Sequence, residues 1–244
     1  MTTNHSAAAT CLVLVLTGSF LYATGKVTGT VVYDGPVPRM KPIRMGSDPV
    51  CEMKQEEPVR TEWLLAGENG ELKNVFVFVD SGLVDTSFPI PEEPATINQE
   101  GCVYRPHVLG VQAGQPIDIL NSDGTLHNVH ALPKEPGNDR FNEAMPAARK
   151  KITKVFEVPE IMVRIKCDVH PWMGAFVGVV NHPFFAVTSA DGSFEIPNLS
   201  PGTYTLKTWH EKLPPQTATV TIKEGETVSV DFTLKRPERP KKKK

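Results

Sequence analysis

The chain has 244 residues, 40% hydrophobic and 22% charged, with a net charge of −2; that is enough apolar material for two small cores and too even a charge for nucleic-acid binding. Its 22 prolines and 18 glycines are spread as punctuation, not in blocks, which favours many short strands over long helices. There is no G-x-S-x-G, no H-E-x-x-H and no phosphate-cradling glycine loop, so hydrolase and nucleotide chemistry are set aside.

In chain order, residues 11–22 form an apolar run, and Ala23-Thr24-Gly25 has the small residues of a cleavage site. Residues 1–25 are therefore expected to be an export signal, which would place the protein in the periplasm or otherwise outside the cytoplasm. No Lys or Arg precedes the run, and an N-terminal membrane anchor is the alternative. Residues 26–35 predict a β-hairpin turning at Asp34-Gly35, and residues 36–58, with Cys51, predict irregular structure. Val75-Phe76-Val77-Phe78-Val79 predicts a strand buried on both faces. Strands are expected over 117–120 and 127–132, with Asn121-Ser122-Asp123-Gly124 as the turn between them. A short helix is expected over 138–149, broken by Pro146, and strands over 162–166 and 175–180.

Between those last two strands stands Cys167-Asp168-Val169-His170-Pro171-Trp172-Met173, a thiol, an imidazole and a thioether at C-x2-H-x2-M spacing. A loop joining two neighbouring strands can bring all three to one point. Upstream, Leu126-His127-Asn128-Val129-His130 opens another strand and offers a further imidazole. Two imidazoles, a thiolate and a weak thioether are the donor set of a blue-copper electron-transfer site. The plain alternative makes Cys167 and Met173 core residues. A zinc site using His130 as well is a second alternative, but residues three apart on a strand face opposite sides. A Cys167–His170 nucleophile pair would leave His127 and Met173 unexplained.

Residues 106–180 resemble the cupredoxins, with the short ligand loop and the His-Asn-Val-His run of the amicyanin type. The resemblance implies a Greek-key β-sandwich holding one type 1 copper ion through His127, Cys167, His170 and Met173. Asn128 would tie the two ligand loops together near the sulfur. It also implies that the His170 ring edge reaches the surface within an apolar patch of Pro133, Pro171 and Trp172. Electrons would pass there to a transient redox protein, and the chain would be a monomeric carrier with no substrate of its own. If Cys167 binds metal and residues 1–25 are removed, Cys51 and Cys102 remain as a pair, and an oxidising compartment would join them in a disulfide. A second metal site of Cys51, Cys102 and His107 is the rival.

From residue 184 the texture changes. Asp191-Gly192-Ser193-Phe194-Glu195-Ile196 and Pro201-Gly202-Thr203-Tyr204-Thr205-Leu206 each give a turn and then a strand, and residues 218–222 and 228–234 alternate apolar and polar. This resembles the carboxypeptidase regulatory-like module, a transthyretin-like sandwich without catalytic residues. The expected organisation is all-β: a leader over 1–25, a cupredoxin-like domain over 26–183, a smaller antiparallel β-sandwich over 184–234, and a disordered basic tail over 235–244 that meets anionic surfaces. The competing function is an envelope scaffold or ligand-binding protein, carbohydrate-associated, with a structural or vestigial metal site.

Overall fold

The computed structural model describes residues 23–237; the expected leader to residue 22 and the tail from residue 238 lie outside the described residues. The described chain is all-β apart from one short helix. Strand β1 (Gly25–Tyr33) is followed by a long irregular segment containing α1 (Pro49–Met53), and then by β2 (Phe76–Ser81). Nine strands come next: β3 (Ala95–Gln99), β4 (Tyr104–Arg105), β5 (Val108–Gln112), β6 (Ile117–Asn121), β7 (His127–Leu132), β8 (Phe141–Met145), β9 (Lys151–Lys154), β10 (Glu160–Lys166) and β11 (Gly174–Val180). The last six are β12 (Phe185–Val187), β13 (Ser193–Leu199), β14 (Gly202–Trp209), β15 (Thr217–Ile222), β16 (Thr227–Ser229) and β17 (Phe232–Leu234).

Strands β3 to β11 build a first sandwich from the sheets β5-β11-β10-β7-β8 and β4-β3-β6-β9. Both sheets are mixed: β3 runs parallel to β6 and β5 parallel to β11, while β7, β10 and β11 pair antiparallel. Alternation does the inward sorting. Ile117 and Ile119 of β6, Val129 and Ala131 of β7, and Val163 and Ile165 of β10 all enter one core, which also takes in Cys167 and Met173. The expected helix over 138–149 is instead the strand β8, paired with β7 from His127↔Met145 to Ala131↔Phe141. Ladder pairing along an open sheet edge overrides the local helical composition there.

The second sandwich is larger than the sequence alone implies. Its sheets are β13-β1-β16, with β17 also on β1, and β12-β2-β14-β15. Strands β1 and β2, placed by sequence with the first domain, thus hydrogen-bond within the second. The expected hairpin over 26–35 is absent, because β1 runs unbroken to Tyr33 and finds its partners some 160 to 200 residues away. Nor is the sandwich purely antiparallel: β1 runs parallel to β16 and to β17.

The unbroken apolar run at β2 follows from its position. Val75, Val77 and Val79 enter the core of the second sandwich with Val31, Ile196 and Leu206. Phe76 and Phe78 point the other way, into a cluster with Val108, Met162 and Val180 of the first sandwich. Gly110 and Gly178 are register partners on β5 and β11. A Cβ on Gly110 would lie 2.5 Å from the Phe185 ring, and one on Gly178 would lie 2.9 Å from Phe76. The two glycines therefore let the aromatic rings lie directly on the sheet.

A fragment starting at residue 184 lacks β1 and β2. It is expected to show no cooperative thermal transition by circular dichroism, whereas the chain from residue 23 melts cooperatively. A cooperative melt of the fragment would mean that the two N-terminal strands are dispensable.

Candidate metal centre

His127 opens β7, and the turn at 121–125 delivers it to the end of the first sandwich. Cys167 follows β10, and the loop back to β11 is cinched by hydrogen bonds from Met173 N to His170 O (2.9 Å) and from Cys167 N to Met173 O (3.2 Å). The His170 N–H also donates to Cys167 Sγ (3.3 Å). These bonds draw the His127, Cys167 and His170 donor atoms within 4.8 Å of one another. All three residues are buried, and so is Met173 at 1% exposure.

Asn128 spans the two loops. Its N–H donates to Cys167 Sγ (3.5 Å), and its Oδ1 accepts from Asp168 N (2.6 Å) and Val169 N (3.3 Å). Tyr104, from the facing sheet, donates its hydroxyl to Asn128 O (2.7 Å). His130 turns elsewhere, to Asp168 (2.8 Å) and Arg140 (2.9 Å), and does not join the cluster. His107 bridges the sandwiches, donating its Nδ1–H to Gly174 O (3.1 Å) and pairing through Nε2 with Glu211 (2.7 Å).

Two carboxylates that the sequence reading does not single out complete the site. His127 Nε2 lies 2.9 Å from Asp123 Oδ2, and His170 Nε2 lies 2.9 Å from Asp48 Oδ2. An ionised carboxylate only accepts, so both Nε2 atoms carry the proton. The Nδ1 atoms are then the free donors, and they face each other at 2.9 Å beside the Cys167 sulfur. Two lone pairs and a sulfur converging in a buried site offer a place for a cation between them. The donor set therefore fits a soft-to-borderline metal ion.

Without metal, a proton fills that role. Burial works against charge on His127, but the Asp123 carboxylate and Cys167 outweigh it and raise its pKa to about 8. Burial alone would push the Cys167 thiol up; His127 and the backbone N–H groups around the sulfur bring it below its ordinary value. Asp123 is pushed up by burial too, yet hydrogen bonds from His127, Lys54 and two backbone N–H groups hold it well below the usual carboxylate range.

Asp48 comes from the segment after β1, which folds over the site as a cap. It N-caps α1, accepting from Val50 N at 2.8 Å, and so aims its other oxygen at His170. The expected disulfide is present: Cys51 joins Cys102 across 51 residues and ties the cap to the first sandwich. Both cysteines are thereby removed as metal ligands, which overturns the rival site with His107. Cys51 Sγ lies 3.7 Å from His170 Nε2.

The cap corrects one expectation. His170 is only 2% exposed, so its ring edge does not reach the surface. Pro171 is exposed and Pro133 half-buried, but they frame no open imidazole. Trp172 does touch His170, with ring centroids 5.0 Å apart, and its Nε1–H donates to Cys102 O (2.9 Å). The ring is half-buried and lines a cleft with Trp63, His107, Arg164 and Glu211.

Residues 167–235 match the carboxypeptidase regulatory-like domain. The match covers under a third of the chain: it takes in β11 of the first sandwich and omits β1 and β2 of the second. Among solved structures, the chain is similar to a copper-containing nitrite reductase from Thermus scotoductus, at 17% identity and a TM-score of 0.33 over 41% of this chain and 25% of that one. It is also similar to a mutant of amicyanin in the Cu(I) state, at 18% identity and a TM-score of 0.32 over 42% of this chain and 97% of that one. A purple cupredoxin from Nitrosopumilus maritimus aligns at 22% identity and a TM-score of 0.29, over 35% of this chain and 98% of that one. This chain thus spans a quarter of the reductase and nearly all of the two small cupredoxins. No curated protein matches the sequence.

A metal ion must displace the proton that His127 holds with a pKa of about 8. Apparent metal affinity is therefore expected to fall as pH drops below about 8 and to level off above it. Competition titrations with a chelator between pH 6 and 9 check this, and an affinity flat across that range would mean that His127 is not a donor.

Proposed function

We propose that the chain is an exported copper protein that carries single electrons. His127 Nδ1, His170 Nδ1 and the Cys167 thiolate would hold the ion strongly and Met173 weakly. The observation that carries this reading is the 2.9 Å approach of two Nδ1 atoms beside a buried cysteine, with both Nε2 atoms engaged by carboxylates. A copper ion held there would supply a reversible one-electron couple, because imidazole and thiolate together suit both Cu(II) and Cu(I).

The chain's own groups account for the rest. Asn128 steadies the sulfur and locks the two ligand loops in register. The buried donors and the cap keep water from the site, which favours a carrier over an enzyme that must admit a substrate. With the His170 edge covered, Trp172 is an aromatic group that touches a donor ring and also reaches the surface. A transient redox protein would meet it there through a small interface. The protein acts as a monomer outside the cytoplasm, does not bind nucleic acid, and its basic C-terminal residues favour anionic envelope surfaces. The second sandwich serves as scaffold, and a zinc role is disfavoured because His130 is committed to Asp168 and Arg140.

The test is the visible and EPR spectrum of the protein loaded with Cu(II). An intense thiolate-to-copper band with narrow hyperfine splitting is expected, and Cys167→Ala should abolish it. Met173→Leu should keep the copper and raise the potential; loss of copper there would mean that Met173 is not merely a weak donor. A colourless wild-type protein that takes zinc or no metal would favour a two-sandwich envelope scaffold instead.

A further inference from the structure

We infer that Asp48 and Asp123 are positioning residues for the metal centre: each grips one imidazole by its outer nitrogen, and their charge biases the bound metal toward its more oxidised state. The inference rests on the metal-site reading above and adds to it the direction in which the site is tuned.

The two carboxylates belong to a reciprocal clasp between the cap and the 121–125 turn. The cap supplies Asp48, whose Oδ2 accepts from the turn residue Thr125 (3.0 Å) as well as lying on His170. In return the turn supplies Asp123, whose Oδ1 receives Lys54 of the cap at 2.8 Å. The Cys51–Cys102 bridge joins the two sides. Each of its cysteines donates its backbone N–H to the neighbouring carboxylate: Cys51 N to Asp48 (3.4 Å) and Cys102 N to Asp123 (2.8 Å). Neither aspartate can swing away without breaking several of these bonds. The imidazoles are therefore held with Nδ1 inward before any metal arrives.

An anionic acceptor on the far N–H of a ligand imidazole makes that ring a better donor. A better donor stabilises the higher charge on the metal. The two aspartates are not equivalent in this respect. Lys54 neutralises part of the Asp123 charge, whereas among the described residues the ion-pair partner of Asp48 is His170 itself. Asp48 should therefore have the larger effect, although it lies in the cap, outside the first sandwich and 122 residues from the ligand it serves.

Asp48→Asn separates the helix cap from the grip on His170. Asparagine is an equally good N-cap through its single carbonyl oxygen, but its other branch is an NH2 that only donates, so both the charge and the acceptor facing the His170 N–H and Thr125 are lost. The test compares wild type with Asp48→Asn, Asp123→Asn and Asp48→Ala. It measures Cu(II) and Co(II) affinities by chelator competition, the reduction potential, and the unfolding midpoint of the metal-free protein. Asp48→Asn, which keeps the helix cap, should lower the midpoint less than Asp48→Ala and weaken Cu(II) binding about 10–100-fold. Each tenfold loss of Cu(II) relative to Cu(I) affinity would raise the potential by about 59 mV. Asp123→Asn should shift both less, and Asp48→Ala should also lower the midpoint. If Asp48→Asn changes neither potential nor affinity by more than about twofold while the copper band persists, the inference fails and the carrier reading stands. If wild type shows no copper band yet Asp48→Asn still weakens Co(II), the carrier reading fails and the positioning role stands. If wild type binds neither metal, both fail.

Discussion

Two imidazole nitrogens buried 2.9 Å apart, each turned inward by a carboxylate on its outer side, are the constraint around which this chain is arranged. Left alone, the converging lone pairs and the adjacent sulfur would repel. The fold holds them together by surrounding them with fixed donors and acceptors. Backbone N–H groups from Asn128 and His170 point at the sulfur. Tyr104 reaches across from the opposite sheet to fix the backbone at Asn128. Covering the outer side are Asp48, Asp123 and a disulfide. Such a cluster is preorganised: ordering its side chains is accomplished on folding and does not fall on the binding step.

The second sandwich contributes to this rigidity without lending a donor atom. Its strand β2 is wedged between two cores, valines to one side and phenylalanines to the other. The phenylalanine side rests on the paired glycines of β5 and β11, and β11 is the strand that leaves the ligand loop. Glu211, just past β14, reaches His107, which in turn bonds Gly174 O at the start of β11. The two sandwiches are thus interleaved in sequence as well as packed in space. The described residues begin in the second, build the first, and return.

What could be read from the sequence follows the range of the interactions involved. Cys167, His170 and Met173 lie within one seven-residue loop, so spacing alone could bring them together, and His127 opens a strand whose alternation is plain. The strand β2 announced its burial through five successive apolar residues, but alternation and apolarity specify faces, not neighbours. Nothing local tells β1 and β2 that their partners lie beyond residue 184, so order along the sequence points to the first domain and the structure to the second. The strand β8 looked helical because its composition did, and its pairing with β7 is a long-range fact. Asp123 read as a turn former, which it is, and its bond to His127 four residues on was hidden behind that simpler role. Asp48 sat in a stretch with no periodicity at all. The one usable signal was Cys51, three residues further on: once it is bridged to Cys102, the segment around it must lie close to the 121–125 turn.

The cap changes what kind of carrier this site could be. A donor imidazole at the surface gives a partner direct contact with a metal ligand, and also gives water, chelators and competing metals a way in. Here that edge is closed by a carboxylate and a disulfide, and the contact that remains is through an aromatic ring on the flank, Trp172. If the site carries electrons as proposed, closing the edge would protect the oxidation state of the bound metal at the cost of the shortest path out. Under the proposed carrier role it would also place a redox partner's surface in the cleft where cap, ligand loop and second sandwich meet, since Trp63, Trp172 and Glu211 each come from one of those three. Selectivity for a partner would then be set by elements outside the metal-binding sandwich. That gives the extra segment after β1 and the interleaved second sandwich a physical reason to be built into the same chain as the site.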